Sequence, residues 1–189
     1  MTSVLAISGS LRARSFNSML LDAAVGLAPA ELAIEVYHGL ADIPHYNGDL
    51  DTADPPATVA DLRARIGAAD ALLISTPEYN YGTPGPLKNA LDWASTPPDA
   101  SVLRGKPVAL MGASPSPFGT VRSQLALRQL FLWTGSPVVT KPEVLVFSAH
   151  ERFDAHGSLT DLGTAELVAN LLSALAAEVR RTESAVAAV

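Results

Sequence analysis

The chain has 189 residues, 48% of them hydrophobic and 17% charged, with a formal net charge of -6. That is the balance of one globular domain spanning residues 1–189, not of a disordered chain, and its acidity argues against nucleic-acid binding through diffuse basic charge. The absence of cysteine excludes disulfides, thiolate metal sites, iron–sulfur clusters and cysteine nucleophiles.

Short apolar runs alternate with segments of helical period. Val4–Ser8 has no basic region before it and passes at once into a polar loop, so it reads as a first strand, not a signal peptide. A helix follows over Asn17–Leu27, with Met19, Leu20, Ala23 and Ala24 at helical spacing. Leu32–His38 is a second strand. The stretch Leu40–Pro56 is long and irregular, with four aspartates and three prolines, the length of a functional or flexible loop. A helix over Thr58–Ala69, a strand over Ala71–Thr76, a helix over Leu87–Ser95 and a strand over Pro107–Gly112 come next. They precede a helix over Thr120–Thr134, a fifth strand within Val138–Phe147 and a helix over Thr160–Arg181. The Ala/Val-rich tail beyond Arg181 is expected to fray. Strands that are nearly continuous apolar runs are those covered on both faces. Alternation of such strands with helices specifies an α/β three-layer sandwich around a five-stranded parallel sheet, in the flavodoxin-like order 2-1-3-4-5. No apolar run reaches the roughly 18 residues of a membrane span, so no membrane partner and a cytoplasmic placement are expected.

In an open parallel sheet, ligands bind beyond the carboxyl ends of the strands, where the strand order switches. Three loops therefore carry the argument. Loop one, Ser8–Asn17, offers Gly9 for a tight turn, the hydroxyls of Ser8, Ser10 and Ser15, and the guanidinium of Arg12. Asn17 is expected to cap the helix, leaving neighbouring N–H groups for an anion, most naturally one phosphate. No Gly-Lys-Ser/Thr follows, and the pattern is not Gly-x-Gly-x-x-Gly, so neither a P-loop nor a Rossmann dinucleotide turn is present. Loop two, Thr76–Pro86, is stiffened by proline and glycine and presents Tyr79 and Tyr81, which suits a flat heteroaromatic ring. The bland reading is a stiff turn whose tyrosines cover the core or a subunit contact. Loop three, Gly112–Gly119, places Ser114, Ser116 and Gly119 at the same edge.

Together these loops resemble the NADPH-dependent FMN reductases. The resemblance rests on Gly9-Ser10-Leu11-Arg12 with Ser15 and Asn17, on Pro77-Glu78-Tyr79-Asn80, and on Pro84-Gly85-Pro86-Leu87-Lys88-Asn89-Ala90-Leu91-Asp92-Trp93. It implies FMN as cofactor and NADPH or NADH as electron donor. It places Ser10, Arg12, Ser15, Phe16, Asn17 and Ser18 at the phosphate and ribityl end. Pro77, Glu78, Tyr79, Asn80 and Gly82 would lie along the isoalloxazine, with Ser114 and neighbouring loop-three groups such as Gly119 at the ring edge. It further implies a homodimer or homotetramer, for which the helix from Leu87 to Trp93 is the candidate interface. Loop three departs from the family's glycine-rich pattern: its two prolines stiffen it and remove two N–H donors.

The activity so implied moves hydride from NAD(P)H through flavin N5 to a small acceptor such as a quinone, a flavin, an azo compound or a metal oxyanion. The cofactor carries the hard step, and no protein residue is assigned an acid–base role. The alternative is a flavodoxin-type electron carrier without direct NAD(P)H turnover. A third reading is a non-flavin regulatory domain on the same fold. The histidines, His38, His45, His150 and His156, lack metal-ligand spacing and read as surface residues. Trp93 and Trp133 read as packing residues. The Leu40–Pro56 aspartates fail the calcium-loop pattern and read as a solvated loop, or as a lid near a neighbouring subunit's flavin. Arg12 and Arg14 stand where they could receive the 2′-phosphate of NADPH.

Overall fold

A computed structural model describes residues 1–187, with side chains through residue 185. The described residues form a five-stranded sheet, all parallel, in the order β2-β1-β3-β4-β5. The strands are β1 (Thr2–Ser8), β2 (Leu32–Tyr37), β3 (Ala71–Ser75), β4 (Val108–Ala113) and β5 (Val144–Val146). The helices are α1 (Phe16–Leu27), α2 (Ala57–Ala68), α3 (Gly85–Ala94), α4 (Val121–Trp133) and α5 (Leu162–Ala187). This is the order expected from the alternating apolar runs.

The two faces are built from the period-two alternation of β1. Val4 and Ala6 face the apolar layer shared with Leu20, Leu21 and Ala24 of α1 and with Leu171, Leu172 and Leu175 of α5. Leu5 and Ile7 face the layer made with Val59, Leu62 and Ile66 of α2, Leu87, Leu91 and Trp93 of α3, and Leu127 and Phe131 of α4. β3 and β4 are buried throughout, whereas β2, at the sheet edge, is half solvated. Its exposed Glu35 pairs with Arg65 of α2.

Several expectations are corrected. Ser15, not Asn17, caps α1: its hydroxyl accepts from the N–H groups of Asn17 (3.1 Å) and Ser18 (3.4 Å). The fifth strand is only Val144–Val146. Val138 makes an isolated bridge to Val108, and Lys141-Pro142 separates the two pieces. Trp133 is 76% exposed at the end of α4, so it is not a packing residue, whereas Trp93 is fully buried. The apolar face of α3, Leu87, Ala90, Leu91, Trp93 and Ala94, is spent in the chain's own core and is not free to form a subunit interface.

The helix α5 runs to Ala187, beyond the Arg181 boundary read from sequence, and residues 188–189 lie outside the described residues. Contrary to the hydropathy reading, α5 is long and apolar enough to cross a membrane by length and composition. Its stripe of Val168, Leu171, Leu172, Leu175, Ala176 and Val179 is buried against the sheet layer.

Residues 40–56 are not a loose loop. The carbonyl of Pro44 accepts from the Asn89 amide (2.9 Å) and from the Trp93 indole N–H (2.8 Å). Tyr46 packs edge-on against Trp93 at 4.9 Å. Asp51 pairs with Arg63 at 2.7 Å, and Arg63 also donates to the Trp93 carbonyl. Burial opposes the charge on Asp51, but the Arg63 and Thr96 hydrogen bonds outweigh it and hold its carboxyl below the ordinary range.

Trp93 therefore serves both the core and the anchoring of this segment. Trp93→Ala is expected to cost about 3–5 kcal/mol, the range for a large buried aromatic, read as a fall in the urea unfolding midpoint. An unchanged midpoint would show that the residues 40–56 segment and the α3 face are held by other groups.

Candidate functional site

Because β1 lies between β2 and β3, the chain reverses its direction of travel across the sheet after β2. The loops after β1, β3 and β4 consequently open together. They enclose a cleft of about 370 Å³ lined by Ser10, Arg12, Ser15, Phe16, Asn17, Pro77, Glu78, Tyr79, Ala113, Ser114 and Pro115. Of the residues singled out from sequence, Ser18, Asn80, Gly82 and Gly119 do not line it. Ser18 turns to the other side of loop one, where its hydroxyl meets that of Ser8 at 3.0 Å.

Loop one is shaped by its own hydroxyls and by a close crossing. A Cβ at Gly9 would lie 2.9 Å from the Leu87 side chain and 3.2 Å from Pro77, so glycine lets loop one cross directly beneath loop two. Among the described residues, the N–H groups of Leu11, Ala13, Arg14 and Ser15 find no protein acceptor. Arg12 is exposed, with its guanidinium 5.7 Å from the Phe16 ring, and among the described residues it has no carboxylate partner. Asn17 behaves differently from expectation. It is 3% exposed, and its amide is committed within the protein. Oδ1 accepts from the Ala113 N–H (2.9 Å) and from the Ser75 hydroxyl (3.1 Å), while Nδ2 donates to the Ala113 carbonyl (2.9 Å). Its side chain positions loop one and is not a free ligand donor.

Loop two is a tight hairpin. Tyr79 and Gly82 exchange backbone hydrogen bonds of 3.1 and 3.0 Å. The two residues between them, Asn80 (φ 48) and Tyr81 (φ 68), both have positive φ, the pattern of a type I′ turn. Asn tolerates this conformation; Tyr does so at a cost that its surroundings must offset. Those surroundings are Arg122, whose guanidinium lies 3.9 Å from the Tyr81 ring centre and 4.9 Å from that of Phe118.

Glu78 fixes the arrangement from beneath. Its carboxylate accepts from the Arg122 guanidinium (2.6 Å) and from the Arg122 backbone N–H at the start of α4 (2.9 Å). Burial raises its pKa, but the Arg122 hydrogen bonds and charge more than compensate, so the carboxyl is held below its ordinary value. Glu78 thus ties the hairpin to α4, and its carboxylate is turned to Arg122.

Loop three is anchored on β5. The N–H of Ser114 donates to Val146 (2.9 Å), its carbonyl accepts from Ala149 (3.0 Å), and its hydroxyl donates to that of Ser116 (3.0 Å). Gly119, with φ 59, backs onto Leu145 of β5 and closes the loop ahead of α4. Sequence reasoning missed the polar layer beneath the loops. Thr76 meets Ser123 at 2.9 Å, and the Gln124 amide donates to Thr120 (3.1 Å) and to the Val144 carbonyl (3.0 Å). A Cβ at Gly112 would overlap the Thr120 hydroxyl and the Thr76 carbonyl. The available signal was the Gly112 and Thr120 pair flanking a loop, which no spacing rule connects.

The model of the NADPH-dependent FMN reductase family matches residues 2–151. The chain belongs to this family. An NAD(P)H-dependent FMN reductase of Pseudomonas aeruginosa is 48% identical over 178 residues, covering 94% of this chain and 95% of its own. A quinone reductase of Escherichia coli is 37% identical over 182 residues, covering 95% of this chain and 96% of its own. Among solved structures, the flavoenzyme NAD(P)H:(acceptor) oxidoreductase FerB of Paracoccus denitrificans superposes with a TM-score of 0.87 at 36% identity, covering 96% of this chain and 99% of that one. The chain is accordingly an FMN-dependent oxidoreductase that uses NAD(P)H, and these relatives lend no support to the electron-carrier alternative.

In this reductase the Glu78 carboxylate is a positioning group. Since its folded pKa lies below its unfolded one, its contribution is complete above about pH 4.5 and is lost as pH falls through the lower folded value. Glu78→Gln is expected to lower stability by about 1–3 kcal/mol at neutral pH. In urea titrations at a series of pH values, the gap from wild type should close on acidification. A gap that persists unchanged into strong acid would rule out the charged Glu78–Arg122 pair as its source.

Proposed function

We propose that the 370 Å³ cleft is the FMN site of a cytoplasmic reductase whose acceptor is a quinone-class ring. The observation that carries this reading is the set of uncommitted donors on loop one, which borders the cleft. Unpartnered N–H groups of loop one lie at the start of α1, beside an Arg12 guanidinium with no carboxylate partner among the described residues. A helix N-terminus with free donors and an unpaired guanidinium matches a phosphate in charge and in donor geometry. The residues present therefore fit the phosphate end of FMN.

When bound, FMN supplies hydride acceptance from NAD(P)H and electron release to the acceptor. The chain's own residues bind, orient and shield. Arg12, Ser10 and the loop-one N–H groups would hold the phosphate, and Ser15 keeps α1 capped so that those groups stay in place. Phe16 would wall the ribityl end. Buried Pro77 and the half-exposed Tyr79 ring would flank the isoalloxazine. The Ala113–Pro115 edge faces them across the cleft. Asn17, Glu78, Asn80, Gly82 and Gly119 act through the backbone they position. Ser18 stands outside the cleft, on the side of loop one lined by Ser8, Leu11 and Ala13. The names of the quinone reductase relatives support a planar acceptor, and the exposed Tyr79 offers it a stacking surface at the mouth.

The reading includes a homo-oligomer, dimer or tetramer, assembled through α4 in place of α3. Leu125, Leu132 and Trp133 are all more than half exposed and lie on one side of α4, an apolar surface a solitary chain would leave wet.

The decisive experiment is an anaerobic mix of FMN-loaded protein with NADPH, followed at the visible flavin band. Rapid bleaching, reversed by added benzoquinone, is expected; bound flavin that neither NADPH nor NADH bleaches would sink the reductase reading. Arg12→Ala is expected to weaken FMN binding by about 1–3 kcal/mol, the value of a charge-assisted hydrogen bond, with no loss of stability because Arg12 is exposed. Unaltered FMN affinity would move the phosphate elsewhere. Leu132→Asp with Trp133→Asp is expected to reduce the sedimenting mass to that of one chain. An unchanged mass would place the interface off α4.

A further inference from the structure

We propose that a second cavity, beside the first, binds the adenosine 2′-phosphate of NADPH, and that Arg14 and His150 set a preference for NADPH over NADH. The proposal rests on reading the first cleft as the flavin site. The second cavity has a volume of about 430 Å³ and shares Arg12 and Phe16 with that cleft. A ligand lying in it would therefore adjoin the phosphate and ribityl end of a flavin held in the first. Its volume suits half a dinucleotide, within the roughly 300–1,000 Å³ of small-molecule sites.

The charge distribution makes this cavity unusual. The chain carries 13 Lys and Arg against 19 Asp and Glu. Among the described residues, most of those cations pair with carboxylates. Arg104, Arg128 and Lys106 instead donate to backbone carbonyls of Pro98, Val139 and Ala69. Arg12 and Arg14 are left, and both line this one cavity, together with His150. Arg14 has a single long hydrogen bond, 3.5 Å to the Ala155 carbonyl, which leaves most of its fork of donors open. With Arg12 assigned to the flavin phosphate, the open fork of Arg14 beside the His150 imidazole is the chemistry left in this cavity to receive a second phosphate dianion.

Two carboxylates stand near these groups. Asp154 also lines the cavity, and its Oδ1 is engaged within its own turn, accepting from the N–H groups of His156 (2.8 Å) and Ser158 (2.9 Å). Glu151 lies 3.7 Å from the His150 imidazole, and both side chains are more than half exposed. The wall beneath the cations is aromatic and soft: Phe16 stacks on Phe153 with ring centres 5.7 Å apart, and Met19 adjoins them. An apolar floor with a cationic rim fits a purine bearing a phosphate. NADH lacks that phosphate, so only NADPH would use the rim.

The test compares wild type with Arg14→Ala and His150→Ala, both exposed positions outside the hydrophobic core. Calorimetry with adenosine 2′,5′-bisphosphate and with 5′-AMP reads the cavity without turnover. Wild type should bind the bisphosphate at least about tenfold tighter than 5′-AMP, and each variant should lose most of that margin. The ratio of kcat/KM for NADPH to that for NADH should fall by about tenfold in each variant, with FMN affinity held within about twofold. Equal binding of the two nucleotides to wild type would overturn the proposal. So would a loss of FMN affinity with an unmoved NADPH to NADH ratio, which would make these residues ligands of the flavin phosphate. Wild-type protein that takes up no FMN would instead overturn the flavin reading. The calorimetric comparison would still decide the cavity on its own.

Discussion

The amide of Asn17 is the interaction on which the site depends. It sits in the first turn of α1 and reproduces a backbone rung: Oδ1 accepts from Ala113 N–H and from the Ser75 hydroxyl, and Nδ2 donates to the Ala113 carbonyl. One buried side chain thus ties the start of α1 to the ends of β3 and β4. Removing it would leave the N–H and carbonyl of Ala113 buried without partners, and such groups cost more than the bonds themselves contribute. With α1 held there, Ser15 caps it, and the N–H groups that no protein acceptor meets are fixed in the loop that borders the cleft. The same crowding makes Gly9 and Gly112 obligatory, since both backbones pass where a side chain would collide with loop two.

The second constraint runs from loop two into α4. A turn with positive φ at both Asn80 and Tyr81 stores backbone strain, and strain persists only where the surroundings over-determine it. Here the Glu78 carboxylate grips both the backbone and the guanidinium of Arg122, while that guanidinium lies against the Tyr81 and Phe118 rings. The hairpin cannot relax without breaking a half-buried ion pair. Loop two and α4 therefore move together, and the Tyr79 ring is presented from a stiff base.

Most of the fold was legible in the sequence because buried parallel strands are continuous apolar runs, and five of them alternate with helical periods. Boundaries failed where tertiary context overrode local pattern. The fifth strand shrank to Val144–Val146 because the preceding residues make only a bridge at Val138. Trp133 carried a packing residue's type and spacing, yet it lies two residues past the buried Phe131, beside the exposed Leu132, and faces outward. The cleft's lining was legible from the three loops. The jobs of Asn17 and Glu78 were not, because each is spent on a partner distant in sequence, Ala113 and Arg122. Residues 40–56 looked loose by composition. The indole and amide that hold them, Trp93 and Asn89, belong to a helix that composition cannot place beside them.

Sorting the polar groups around the cleft by commitment shows how stability and ligand binding are divided. Asn17, the Ser15 hydroxyl, Glu78, Arg122 and the Ser114 backbone are satisfied within the chain. They fix shape, and their loss would be felt first as instability. Arg12, Arg14 and the loop-one N–H groups are exposed or lightly engaged, so they contribute little to folding and remain available to anions. Rigid walls with unspent donors keep the ordering cost of binding low. They also explain how an acidic chain of net charge -6 can attract two phosphorylated ligands. The repulsion acts over the whole surface and is screened within about 8 Å at physiological salt, whereas the uncommitted guanidinium groups act at hydrogen-bonding distance, inside one pair of adjoining cavities.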